Sequence, residues 1–289
     1  MSKALSTAAA QEFDDEVHHQ YQGAGNLRET ITMRSNVVGS TYQFRRMGKG
    51  LGSQRGAPQT DVIPMDVAHT LIPAVLEDWV FPEFTDIFDQ AEVNFEERTE
   101  LSQTIGMAMG RREDQLIIDA FDAITTYAGT VTSSIGGADS NLNVAKLRRA
   151  ARLLDDQGVP GSDRHLVAST NNKEALLGET ETTSSDFNSV KALVDGQINT
   201  FLGFTFHWIE DRSAFEGGLT IDGGDVRDGF AYHKAAMGIA YGALEGGNPQ
   251  TRVDWVPVKT SWLSNGLLKA GVAARDGAGG VVKVQMDET

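Results

Sequence analysis

The chain has 289 residues, 40% of them apolar and 22% charged, ordinary proportions for one or two folded domains. Forty acidic residues against 25 basic ones leave a net charge of −15, which argues against a nonspecific grip on nucleic acid. The lack of cysteine excludes disulfides, thiolate-bound metal and thiol catalysis, and no apolar run approaches the roughly 18 residues of a membrane helix.

Residues 1–29 are polar and acidic. Ser6 to Ala10, with Val17 and Tyr21, suit a short helix but offer too few apolar side chains to pack alone, so the segment is expected to be an arm that orders against a partner. Met1 to Glu16 has neither the basic nor the apolar region of a signal peptide, and a soluble, intracellularly made protein is expected. Thr30–Arg34 and Ser40–Arg45 both alternate and flank Gly39, which predicts a hairpin. Gly48, Gly50, Gly52 and Gly56 then predict a flexible tip. Residues 31–60 carry Arg34, Arg45, Arg46, Lys49 and Arg55 and no acid, the clearest local departure in an acidic chain. A loop this long with little apolar content needs another surface to lie on.

From Glu96 to Thr125, Leu101, Ile105, Met109, Leu116, Ala120 and Ile124 recur at mostly three- and four-residue steps. They predict a helix about 45 Å long. The glycine- and serine-rich run Thr126–Ser140 ends it. Asn143 is placed to cap a second helix, Val144 to Gln157, closed by Gly158 and Pro160. His165–Ser169 reads as a buried strand and Asn171–Leu177 as one or two helical turns. Thr200–Ile209 and Phe230–Tyr241 are strand-like, split by a loop rich in glycine and aspartate from Gly217 to Gly229. Thr251–Trp262 alternates, and Lys269–Ala274 and Val281–Gln285 are expected to be closing strands joined by a turn from Asp276 to Gly280. There is no internal repeat.

Residues able to carry chemistry do not gather into a recognisable site. Gly48-Lys49-Gly50-Leu51-Gly52 lacks the preceding strand and following helix that aim amide groups at a phosphate. His18, His19, His69, His165, His207 and His233 lack metal-ligand spacing. Asp222–Asp228 resembles a calcium loop without its alternating oxygens or terminal Glu, and reads as a surface turn. Gly-x-Ser-x-Gly is absent. The adjacent pairs Glu96-Glu97 and Asp155-Asp156 do not converge from a helix and read as solvated. Trp79, Phe81, Phe84 and Phe88 read as core or interface packing. Gly106-x-x-x-Gly110 is compatible with a close backbone approach. No catalytic residue, cofactor or metal is expected, and an arm and loop that need partners favour assembly over catalysis.

The order of many short runs is similar to a known family. These runs are Phe13-Asp14-Asp15-Glu16-Val17, Leu27-Arg28, Gly39-Ser40-Thr41-Tyr42-Gln43-Phe44, Met47-Gly48-Lys49, Gly110 to Ile118 and Val159 to Arg164. Leu176-Leu177-Gly178, Thr183-Ser184-Ser185-Asp186, Val190 to Gly196 and Phe201-Leu202-Gly203-Phe204 are the most specific. Together they resemble the small major capsid proteins of tailed bacteriophages with the Hong Kong 97-type fold, from about Glu12 to about Gln285. The resemblance implies an α+β fold: an N-terminal arm (1–29), an extended loop crossing a neighbouring subunit (30–76), and a peripheral domain with a long spine helix (77–140). An axial domain (141–249) and strands returning to the peripheral domain (250–289) complete it.

It further implies hexamers and pentamers closing into an icosahedral shell around double-stranded DNA, held without sequence-specific binding and without a membrane. Heterologous contacts that close into rings are the geometry such capsomers need. The location implied is the virion, assembled in the host cytoplasm. A scaffolding protein and portal are implied as partners in assembly, with a decoration protein as a further one. Encapsulin-like compartments and gene-transfer-agent shells share the fold and are the alternatives. Many relatives carry a proline where Phe44-Arg45-Arg46 stands here. Lys49 is a candidate donor for the crosslinks some such shells form, but no motif supplies an Asn partner or a catalytic Glu. The basic loop, through Arg34, Arg45, Arg46, Lys49 and Arg55, is expected to meet an acidic stretch of the next subunit, with Glu96, Glu97 and Glu100 as its partners.

Overall fold

A computed structural model describes residues 24–59, 61–90, 97–179, 200–213, 218–222 and 224–288. The chain enters through a 3-10 turn, Arg28–Thr30, into strand β1 (Thr32–Val37). β2 (Thr41–Met47), β3 (His69–Val75) and β4 (Glu77–Asp86) follow, then a single turn α1 (Ile87–Gln90) and the long helix α2 (Glu97–Asp122). Its 26 residues span about 39 Å. Ile105, Met109, Ile117, Ile118 and Phe121 form its buried stripe at helical steps. The Tyr127 hydroxyl donates to the Phe121 carbonyl at 2.9 Å, satisfying one of the acceptors that the helix end leaves open.

After β5 (Gly129–Val131) comes α3 (Val144–Asp156). The Asn143 side chain accepts from the Lys146 amide at 2.8 Å, an N-cap of the kind the sequence predicts. At the other end Gly158 has φ +75° and Val159 N–H bonds back to Leu154 O at 3.1 Å, closing the helix with a left-handed glycine. β6 (Arg164–Ser169) runs into α4 (Thr170–Gly178), where Ser169 and Asn172 form a reciprocal cap. β7 (Thr200–Phe201), β8 (Phe204–Ile209), β9 (Ile221–Asp222) and β10 (Val226–His233) lead to a 3-10 turn at Lys234–Ala236. The chain ends with β11 (Met237–Gly242), β12 (Gln250–Val256), β13 (Ser261–Ala274), a turn α5 (Gly277–Gly280) and β14 (Val281–Asp287).

Two sheets organise these elements. In the five-stranded sheet β13 is central: β4 lines one edge from Glu77 to Asp86, while β11 and β12 share the other. β1 pairs in parallel with β11. The seven-stranded sheet runs β5-β14-β10-β6-β8-β7, with β9 added to β10. Helix α2 lies over β13 of the first sheet, and its Phe121 stacks on Phe230 of the second at 4.9 Å. One apolar core therefore joins both sheets through Ile117, Phe121, Phe230, Tyr232, Ile239 and Leu268. A second core packs α3 and α4 against the seven-stranded sheet through Leu147, Leu154, Leu166, Phe204 and Val282.

Three sequence expectations are corrected. The predicted hairpin does not form between Thr30–Arg34 and Ser40–Arg45; β1 pairs with β11, and β2 pairs instead with β3, from Thr41↔Val75 to Met47↔His69. Thr251–Trp262 is not one strand, because a turn at residues 257–260 folds β12 back on β13. The two closing strands and the turn between them form as expected, in separate sheets: β13 belongs to the five-stranded sheet, and β14 lies between β5 and β10 in the other. Asp222–Asp228 is not a surface turn throughout: Asp222 ends β9, Val226–Asp228 open β10, and Asp228 is a buried strand residue bonded to Lys283. The arm up to residue 23, Glu96 and the run Thr183–Gly196 lie outside the described residues.

Candidate functional site

The β2–β3 hairpin has a fixed root and an exposed tip. At the root Phe44, Ala74, Val37 and Leu76 pack on Ala240 and Ala273. Arg275 lies over the Phe44 ring at 5.5 Å. A Gly48 N–H bond to Ala68 O at 2.8 Å extends the ladder past the strands. Beyond it every described residue from Leu51 to Asp66 is exposed, and the tip presents Leu51, Val62, Ile63 and Met65, with Val62 91% accessible. Apolar side chains displayed together on a projecting loop mark a contact surface rather than a core.

Four of the five basic residues are spread along this hairpin, and the fifth, Arg34, precedes it. Arg34 is exposed on β1, 6.0 Å from the Tyr42 ring. Arg45 and Arg46 point to opposite faces of β2. Arg46 pairs with Asp276 of its own chain at 3.1 Å, both half exposed. Lys49 Nζ lies 3.5 Å from Gln157 O, at the end of α3, and Arg55 is exposed in the tip. Of the acidic residues expected to meet them, Glu97 opens α2 and Glu100 sits half-buried in its first turn. The structure thus strings the basic groups along the loop instead of gathering them, and gives Arg46 a home partner that the sequence did not single out.

A second apolar surface lies at the far end of the five-stranded sheet. Trp79 and Phe81 face α2 and join the core, where Arg112 covers the Trp79 ring at 3.7 Å. Phe84 and Phe88 do not; they are 39% and 72% exposed. Val258 is exposed in the turn after β12, and Lys259 beside it lies 3.8 Å from the Phe84 ring centre, whereas Trp255 is exposed on the opposite face, in register with Trp262 and Thr85. Alternation along β4 puts Phe84 on the other face from Trp79 and Phe81, and Phe88 lies past the strand in α1.

The root of the N-terminal segment is anchored on α2. Gly25 and Gly110 touch backbone to backbone: a Cβ added to Gly110 would sit 2.6 Å from Gly25 N. One turn on, the fully buried Asp114 carboxylate accepts the Asn26 and Leu27 amides at 3.0 Å each and pairs with Arg212 at 2.9 Å. Burial pushes its carboxyl above the usual range, against those bonds. Burial raises Glu113 as well, with Arg28 opposing. Sequence reasoning saw the glycine spacing but not its partner.

No curated protein sequence is significantly similar to the chain. A family model described as phage capsid protein matches residues 5–288. The chain belongs to the phage capsid protein family. Solved capsids agree with it in fold across nearly their whole length. The head structure of Helicobacter pylori bacteriophage KHP40 has a TM-score of 0.76 at 11% identity, covering 100% of this chain and 99% of that one. The capsid of cyanophage P-SCSP1u gives 0.75 at 16%, covering 98% and 94%. The capsid of cyanophage Pam1 gives 0.71 at 13%, covering 100% and 98%. The α+β architecture is therefore the Hong Kong 97-type capsid fold, and the chain is a structural, self-associating capsid protein of the virion. Among the described residues no group of three His, Asp or Glu side chains could hold a metal, and no helix is long and apolar enough to cross a membrane. For a capsid protein the surfaces that matter are the ones left bare above: the loop tip and the end of the five-stranded sheet.

Proposed function

We propose that this capsid protein forms hexamers and pentamers that close into an icosahedral shell around phage double-stranded DNA. The extended loop (30–76) of one copy lies across the peripheral domain (77–140, with 250–289) of the next. Its tip packs Leu51, Val62 and Ile63 on the apolar sheet end around Phe84 and Phe88. Arg34, Arg45, Lys49 and Arg55, with Arg46 shared between Asp276 and the neighbour, meet Glu96, Glu97 and Glu100 at the start of the spine helix. The axial domain (141–249) supplies the loops around the five- and sixfold axes. A scaffolding protein and portal act during assembly in the host cytoplasm, and a decoration protein is a further partner of the shell. The observation that carries this reading is the loop itself: five basic residues and no acid in an acidic chain, a packed root and an apolar exposed tip.

Each exposed ion pair is worth only about 0–1 kcal/mol, but the contact repeats in every copy of a shell. Arg45→Glu with Arg46→Glu is expected to abolish uniform shells in negative-stain microscopy of protein co-expressed with its scaffold. Circular dichroism of the subunit should be unchanged. Wild-type shell yield from the double variant overturns the loop contact. A chain that never forms rings or shells under any condition overturns the assembly reading itself.

A further inference from the structure

The strongest unexplained cluster lies where residues 24–30 enter the body. His165 on β6 and His207 on β8 sit diagonally across a parallel pair of strands, with His165 Nδ1 3.0 Å from His207 Nε2. A cavity of about 440 Å³ opens beside them, and its opposite wall is the segment from Gly25 to Thr30. Among the described residues no third acid or histidine completes a metal site with the pair, so the chemistry left to it is proton exchange.

We propose that the His165–His207 pair is a proton-sensitive latch on the root of the N-terminal arm, closed at neutral pH and opened by acid. In the closed state one N–H is shared between two neutral rings. His165 Nε2 is buried and without a partner, so a proton added there finds no acceptor. A second proton leaves two N–H groups facing each other and breaks the bond between the rings. Across the cavity stand Arg28, which repels the new charge, and Glu29, which is solvent-exposed. On the strand side His165 meets Lys234 and His233, which oppose protonation, and Asp163, which favours it. The Tyr232 ring lies 5.8 Å from His165, and its hydroxyl is bonded to Thr30, tying the pair to the same segment. Lifting residues 25–30 would open the cavity to water and solvate the charge.

The direction of the effect is set by burial, which lowers His165 and pushes His207 down to about 4. A histidine depressed in the closed state binds its proton more readily once released. The latch is therefore complete above the ordinary histidine pKa and weakens as pH falls from 6.5 towards about 4. Asp114 and Glu113 on α2, with Arg212 and Glu210 from the loop after β8 behind them, face the segment. Both carboxyls are raised by burial, so acid favours their closed form, and they oppose the opening over a range above their ordinary values.

Hydrogen exchange on the full chain tests this, with labelling times scaled to the intrinsic rate at each pH. The peptide spanning Ala24–Ile31 is expected to lose at least about tenfold in protection from pH 7.5 to 5.0, while helix α3 keeps its protection. In His165→Gln/His207→Gln the loss should vanish. An equal loss in the double variant, or none in the wild type, overturns the latch. Should the variant not fold, NMR titration of the wild-type histidines decides. Two imidazoles must titrate with the same midpoint as the loss of protection, and separate midpoints overturn it.

Discussion

Gly106 and Gly110 stand one helical turn apart on α2 and have opposite roles. Nothing lies within 4 Å of a Cβ added to Gly106, whereas one added to Gly110 runs into the backbone at Gly25. Glycine in an exposed helix interior costs about 1 kcal/mol relative to alanine. Gly106→Ala should therefore stabilise the unassembled subunit by up to about 1 kcal/mol in urea unfolding. Gly110→Ala should destabilise it by about 1–3 kcal/mol, because overpacking pushes residues 24–26 off the helix and stretches the Asn26 and Leu27 bonds to Asp114. Equal effects at the two positions would refute the close crossing. A sequence motif alone assigns both glycines the same meaning; only the segment laid over one of them separates the two.

At the scale of elements, what the sequence disclosed was local. The Asn143 cap, the Gly158 stop and the run of the spine helix are set by residues a few positions apart, and all three stand where the pattern put them. Strand partners are another matter. Alternation in Thr30–Arg34 marks a strand but not which strand lies beside it. β1 found β11, some 200 residues away, because the fully buried edge of β11 had more to gain from a neighbour than an exposed hairpin at Gly39. The exposed sheet end was half legible: Phe84 and Phe88 were visible as aromatics, but their separation from Trp79 and Phe81 needs the position of α2. Gly271 on β13 ties these elements together, since a Cβ there would collide with the Val75 carbonyl where β3 turns into β4. Gly271→Val should cost about 1–3 kcal/mol and loosen the hairpin root first. Limited proteolysis would then cut faster between Leu51 and Asp66 than in the wild type. Unchanged cleavage there, with lowered global stability, would place the strain elsewhere.

At the scale of the whole molecule, two electrostatic effects of different range compete during assembly. Copies that each carry −15 repel one another over tens of ångströms, while the proposed attraction between the basic loop and its neighbour acts only on contact. Salt separates them, because the screening length falls from about 30 Å at 0.01 M to about 10 Å at 0.1 M and about 3 Å at 1 M. The long-range repulsion is removed first. Shell formation, followed by light scattering, should therefore rise between about 0.01 and 0.15 M salt, where the repulsion alone is being screened. It should fall again towards about 1 M, where the contact pairs weaken too. Replacing Arg45 and Arg46 with glutamine removes the contact attraction but keeps the apolar tip. In that variant the high-salt fall should disappear, because apolar burial between Val62, Ile63 and the sheet end does not weaken with salt. Assembly of the wild type that climbs steadily to 1 M would mean that the apolar surfaces act alone, and that the loop's basic residues serve the fold of the hairpin rather than the join between subunits.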